Sequence, residues 1–241
     1  MTTHEGTSKV FGDKNTAILK SEKSATQSNS RVLNTQPGAL TLAISGILFV
    51  LYPVIRPFSD EVSLQGAAAF ASPDWILAHT LAILGFILLA LGLFTLYLSL
   101  QATNVERTAF WGVILSWLGV GLTLPFYGAE VFGLHAIGQE ALNQQNAAIL
   151  SLTNQVRFGP GFIMIVTGLI LLAVGAILVA IAIWRSRRFP KWSGVPFALA
   201  FALYIPQYVA SQPVRVAHGL LLTAGCLWIA IGLWWRNGSQ T

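Results

Sequence analysis

Six runs of almost uninterrupted apolar residues dominate the chain, at 39–55, 75–100, 109–135, 161–184, 195–210 and 216–235. A hydrocarbon layer of about 30 Å needs roughly 20 apolar residues at helical rise, with about 17 to 25 observed, and the six runs come close to that requirement. Barrel strands would alternate in polarity over about ten residues, whereas these runs are continuously apolar. The fifth run is the shortest and contains Pro196 and Pro206. The pattern predicts an all-α membrane protein, a six-transmembrane-helix bundle over 39–235. A disordered tail over 1–38 and a short tail over 236–241 would flank it. Only 10% of the residues are charged, against roughly a quarter in soluble domains, so the expected partner of this surface is the lipid bilayer.

Basic residues set the expected orientation, because cytoplasmic loops are enriched in Lys and Arg. Six spans place both termini on one side. That side would hold Lys9, Lys14, Lys20, Lys23, Arg31, Arg107, Arg185, Arg187, Arg188, Lys191 and Arg236, eleven of the fourteen basic residues. Arg56, Arg157 and Arg215 remain for the outer side. The expectation is an integral plasma-membrane protein with both termini cytoplasmic, whose positive charge reflects topology and anionic lipid. No basic and aromatic interleaving points to nucleic acid. Residues 1–38 are rich in Ser, Thr, Asn and Lys, too polar to bury enough surface to offset their ordering entropy. The first apolar run starts too late for a signal peptide.

Several residue types are explained by packing. Gly161, Gly168 and Gly175 recur every seven residues, and Gly112, Ser116 and Gly119 form a comparable stripe. Small residues let helices approach closely in lipid, so the glycine stripe is expected to meet another span, a second copy of the chain or another membrane subunit. Tyr52, Trp75, Trp184, Trp192, Trp234 and Trp235 read as interfacial anchors. Cys226 is expected to be a small buried apolar residue. In the loop 139–158, Leu142, Ile149, Leu152 and Val156 recur at helical spacing, as in an interfacial helix or an extension of the fourth span.

Ionisable groups within spans usually face the bundle interior or a wet cavity. Pro73 precedes Ala78-His79 and Pro213 precedes Ala217-His218, so two inward-running helices carry a histidine at one outer depth. Glu130 comes roughly 30 Å of helical rise after Arg107, near the same layer, and His135 follows it. Residues five apart are about 140° out of phase on an ideal helix, so Glu130 and His135 share a face only if the helix deforms near Pro125, Gly128 or Gly133. Tyr127 shares a face with Glu130, and Tyr204, Gln207 and Arg215 add polar groups nearby.

Three readings of this layer compete. His79, Glu130, His135 and His218 would serve as ligands to haem or a transition metal, with His79 and His218 as an axial pair for haem. Alternatively, Glu130 and a histidine exchange protons while Tyr127, Tyr204, Gln207 and Arg215 orient a small transported or bound molecule. In the third, the protein is an accessory or structural membrane protein whose polar residues bind helices together through interhelical hydrogen bonds. No nucleophile motif or phosphate loop points to an enzyme.

Overall fold

The computed structural model describes residues 34–238, all helix, turn and loop with no strand among them. Among the described residues five helices are long and apolar enough to cross a membrane: Gln36–Ile55, Pro73–Leu100, Glu106–Asn143, Pro160–Ser186 and Gln212–Trp235. Their outer faces expose Leu40, Leu84, Leu118, Ile170 and Leu220, a surface that suits hydrocarbon and not water. The chain is a multi-pass membrane protein.

The first helix, α1 (Gln36–Ile55), starts earlier than expected, because Pro37 needs no helical donor in a first turn. Thr35 Oγ1 donates to the Leu233 carbonyl. Residues 34–38 of the expected tail therefore belong to the bundle, and the rest of that tail lies outside the described residues. Next come a short helix, α2 (Leu64–Ala71), and α3 (Pro73–Leu100), whose N-terminus Ser72 caps by accepting from the Trp75 N–H. The third long element is a rod of α4 (Glu106–Gly128), one π-helical turn at Ala129–Gly133 and α5 (Leu134–Asn143). A 3₁₀ turn at Ala147–Ser151 leads to α6 (Leu152–Phe158), and Gly159 breaks the chain before α7 (Pro160–Ser186).

Side-chain pairings give the helix directions. Ser45 Oγ donates to the Gly85 carbonyl between α1 and α3, and Gly38 packs against Thr95, so those two helices are antiparallel. Between α4 and α7, Gly119 meets Gly168 and Gly112 meets Gly175. The glycine stripe at Gly168 and Gly175 therefore meets α4 of the same chain, the first of its expected alternatives. Gly161 lies outside that seam, with Phe126 and Val156 its nearest neighbours at 3.8 and 4.0 Å from an added Cβ.

The stretch 195–210 does not form one helix of spanning length. It comprises α8 (Val195–Ala202), a turn and a 3₁₀ turn at Pro206–Val209, followed by α9 (Gln212–Gly238). Pro206 has no N–H to offer the Ala202 carbonyl, which ends the α-helical ladder there. The stretch nevertheless runs antiparallel along α9. Phe189 packs on Gly232, Phe197 on Gly225, the Ala200 carbonyl on His218 and the Tyr208 carbonyl on Arg215. From Arg215 to Gly232 is roughly 25 Å of helical rise.

These pairings gather Ile55, Pro73, Gly128, Pro160 and Gln212 at one end of the bundle, here called the Pro73 end. At the other, Arg188 Nη1 donates to the Ser99 carbonyl. A chain of aromatic contacts, Phe49 to Phe86, Tyr127, Tyr204 and Phe201, fills the centre below the Pro73 end.

The loop 139–158 is neither one interfacial helix nor a simple extension of α7. Its first residues continue α5, and Leu142, Ile149 and Val156 pack on a small core of Ala67, Phe70, Trp75, Leu134, Ala141 and Leu150, while Leu152 is exposed. Gly138 permits this closeness, since an added Cβ would lie 2.7 Å from the Ala67 carbonyl and the Phe70 Cβ. Folding back in this way brings α6, and Arg157 at its end, over the Pro73 end of the bundle.

Candidate functional site

At the Pro73 end a cavity of about 460 Å³ opens between α1, α3, the π-helical turn, α6, α7, the Pro206 turn and α9. Its polar wall carries Arg56, Glu61, His79, Tyr127, Glu130, Arg157 and Arg215. Phe126, Phe158, Phe162, Ile165, Val166, Leu169, Ile205 and Val209 form the apolar wall.

Charge is organised around Arg157. Its Nε lies 2.6 Å from Glu130 Oε1 and its Nη2 lies 3.2 Å from Glu130 Oε2, while Nη1 donates to Glu61. Glu61 in turn accepts from Arg56 Nη2 at 2.9 Å. Glu130 and Arg56 are only 7% and 6% exposed, so each is buried against a partner of opposite charge. Burial alone would raise the Glu61 carboxyl, but its hydrogen bond to Arg157 and the nearby Arg56 outweigh this and hold it below the usual carboxylate range. For Arg157, burial opposes the charge. Glu130 and then Glu61 outweigh it, so the guanidinium is held protonated more firmly than an ordinary arginine.

His79 is 1% exposed and contacts the rings of Tyr52 and Trp75. Its Nδ1 donates to the Trp75 carbonyl at 2.8 Å, because a carbonyl can only accept. In the neutral ring Nε2 is then an acceptor, and it sits 3.8 Å from Glu130 Oε2, too far for a direct hydrogen bond. The π-helical turn places Glu130 there. Such turns disturb the regular ladder and concentrate at functional sites, and here the Glu130 carbonyl accepts from Trp75 Nε1 at 2.9 Å. Trp75 is fully buried and Tyr52 nearly so, which corrects their reading as interfacial anchors. Trp184, Trp192, Trp234 and Trp235 are exposed.

Below the charges lies a hydroxyl cluster. Tyr127 Oη sits 3.0 Å from both Tyr204 Oη and Tyr208 Oη. Tyr204 and the buried Gln207 line a much smaller neighbouring void with Tyr52, Arg215 and His218. The residues expected at a polar vestibule thus divide: Tyr127, Glu130 and Arg215 line the main cavity, and Tyr204 and Gln207 lie behind its wall.

The expected ligand set His79, Glu130, His135 and His218 is not assembled. His135 Nδ1 donates to the Phe70 carbonyl at 3.0 Å in the small core under the 139–158 loop. His218 Nε2 donates to the Ala200 carbonyl at 2.7 Å, beside the interruption of α8. Only His79 and Glu130 come together. The His79–His218 axial pair is not formed, because His218 lines the small void and not the main cavity. Among the described residues no three His, Cys, Asp or Glu side chains gather as they would around a metal ion.

Arg56, Glu61 and Arg157 were not expected at a site, although two of them carried a signal. With Arg215 they are the three basic residues that the expected topology sets apart from the other eleven, and all three meet at this cavity. No known protein family, curated protein or solved structure matches the chain.

Proposed function

We propose that the protein is a small-molecule-binding membrane protein whose ligand occupies the cavity at the Pro73 end. One observation carries this reading: the buried carboxylate of Glu130 and the half-buried one of Glu61 are held by one arginine on the wall of a cavity whose opposite wall is apolar. An arrangement serving only to join helices would be expected to close on itself, whereas this one borders a space within the usual 300–1,000 Å³ range of ligand pockets. The reading includes six crossings, the segment 195–210 being the interrupted one, with both termini cytoplasmic and the Pro73 end outside. The concentration of basic residues at the other end supports that orientation.

Native mass spectrometry of protein released from lipid discs tests the binding. A reproducible small-molecule adduct is expected on the wild type and should be absent from Val166→Trp, which fills the cavity. An adduct-free wild type, or equal adducts on both, overturns the reading. Cysteine labels at Ser59 and Arg188 test topology, since they should react from opposite sides.

A transport reading draws on the interrupted segment beside the cavity, because discontinuous helices commonly flank transporter sites. Transport requires that the cavity also open toward the Arg188 end. A cysteine at Leu169 that reacts only from the Pro73 side under every condition removes it.

A further inference from the structure

The charges around the cavity do not cancel. Three guanidinium groups face two carboxylates there. Arg157 occupies both carboxylates and shares Glu61 with Arg56, which leaves Arg215 with none. Arg215 Nε donates to the Ala210 carbonyl at 3.0 Å and its Nη2 donates to the Tyr208 carbonyl, both neutral acceptors. Among the described residues it takes part in no ion pair. Arg56, 94% buried since only 6% is exposed, has an Nε with no hydrogen-bond partner. The two guanidinium groups flank one ring, that of Phe58, at 4.6 and 5.3 Å from its centroid. Like charges this close in a partly desolvated site favour an anion near both.

The other wall selects for something else. Phe162, Ile165, Val166 and Leu169 recur at i, i+3, i+4 and i+7, so one face of α7 lines the cavity. Leu169 lies roughly 13 Å of helical rise below Pro160, well beyond the reach of an inorganic ion. The mouth carries Phe158 and Val209, which are 68% and 93% exposed and apolar. Exposed apolar groups at its edge suit contact with a lipid chain.

We infer that the cavity takes a single-chain amphiphile with a monoanionic head, drawn from the leaflet at the Pro73 end. Arg215 and Arg56 hold the head, and the chain lies along the Phe162–Leu169 face of α7. The inference rests on the cavity being a ligand site. A neutral apolar molecule would leave the surplus guanidinium unanswered, and a small hydrophilic anion would leave the apolar wall unfilled.

The test is equilibrium binding of labelled myristate to the full chain in phosphatidylcholine discs, with empty discs subtracted. Saturable binding is expected, with tetradecanol about 10- to 100-fold weaker and neither acetate nor inorganic phosphate displacing the label. Arg215→Gln should weaken myristate by a similar factor while leaving tetradecanol unchanged, and Arg215→Lys should fall between. Because Arg215→Gln also loses two carbonyl contacts, Val166→Trp gives a second readout: it should abolish myristate binding with every charge in place. Equal binding of tetradecanol overturns the anionic head. Displacement by acetate or phosphate overturns the chain and leaves a simple anion site. If myristate does not bind while the wild type still carries an adduct that Val166→Trp lacks, the amphiphile is wrong and the ligand cavity stands. If that adduct is missing too, both fail.

Discussion

Arg157 grips Glu130 through two nitrogens, Nε at 2.6 Å and Nη2 at 3.2 Å, across a gap of 27 residues that includes the π-helical turn and the fold of the 139–158 loop. This two-point contact ties a short helix outside the candidate spans to a carboxylate inside one. It makes α6 part of the cavity wall.

Breaking that grip on one side leaves a carboxylate stranded. Arg157→Met is expected to lower stability by about 3 kcal/mol, the lower end of the roughly 3–5 kcal/mol range for removing one partner of a buried pair. The double variant Arg157→Met with Glu130→Gln should recover most of the loss, because no charge is then left alone. Thermal unfolding in detergent of both variants decides it, and a double variant as unstable as the single one contradicts the account.

Acid should loosen the same network from Glu61. Its folded pKa lies below the ordinary carboxylate value, so its contribution is fully present above the unfolded value of about 4.3. That contribution is lost as the pH falls through the lower folded value. Melting temperature should drop over that acidic window in the wild type. In Glu61→Gln the drop should be shallower, and equal slopes would show that Glu61 does not carry the effect.

The glycine stripe of α7 should respond unevenly to one added methyl. Gly168→Ala places a Cβ about 2.7 Å from Thr123 Oγ1 and 2.8 Å from the Gly119 carbonyl, an overpacking of about 1–3 kcal/mol. Gly161→Ala meets nothing closer than 3.8 Å and should be neutral or slightly stabilising through helix propensity. Equal effects on thermal unfolding would contradict the packing of α4 on α7.

His218 is expected to act in structure, not in binding. Its imidazole donates to the Ala200 carbonyl beside the interruption, so His218→Ala should lower stability by about 1–3 kcal/mol by orphaning that acceptor. Metal content and cavity adducts should match the wild type. Loss of an adduct on His218→Ala with the melting temperature intact would return His218 to the site.

The long apolar runs were legible because hydrocarbon acts locally: each run must satisfy its own backbone and present apolar side chains, whatever its neighbours do. Pro206 already marked the run that does not form one long helix. The proximity of His79 and Glu130 was foreshadowed by helical rise counted from the span ends. His135 and His218 show where such counting stops. His218 was counted to that layer and His135 to just beyond it, yet each ring turns to a backbone carbonyl elsewhere, because the rotation of a helix about its axis follows from packing partners and not from depth.

By itself the sequence determined the class of the protein, an all-helical chain that crosses a membrane several times, and the levels at which its few ionisable residues lie. Tertiary structure alone decided which of those residues meet. The charge asymmetry set Arg56 and Arg157 apart without saying that they meet, and the π-helical turn at Glu130 and the folding of α6 over the bundle bring their charges to one cavity. Span positions follow from the solvent each residue must face, whereas an ion-pair network depends on distances of a few ångströms between chain segments far apart in sequence.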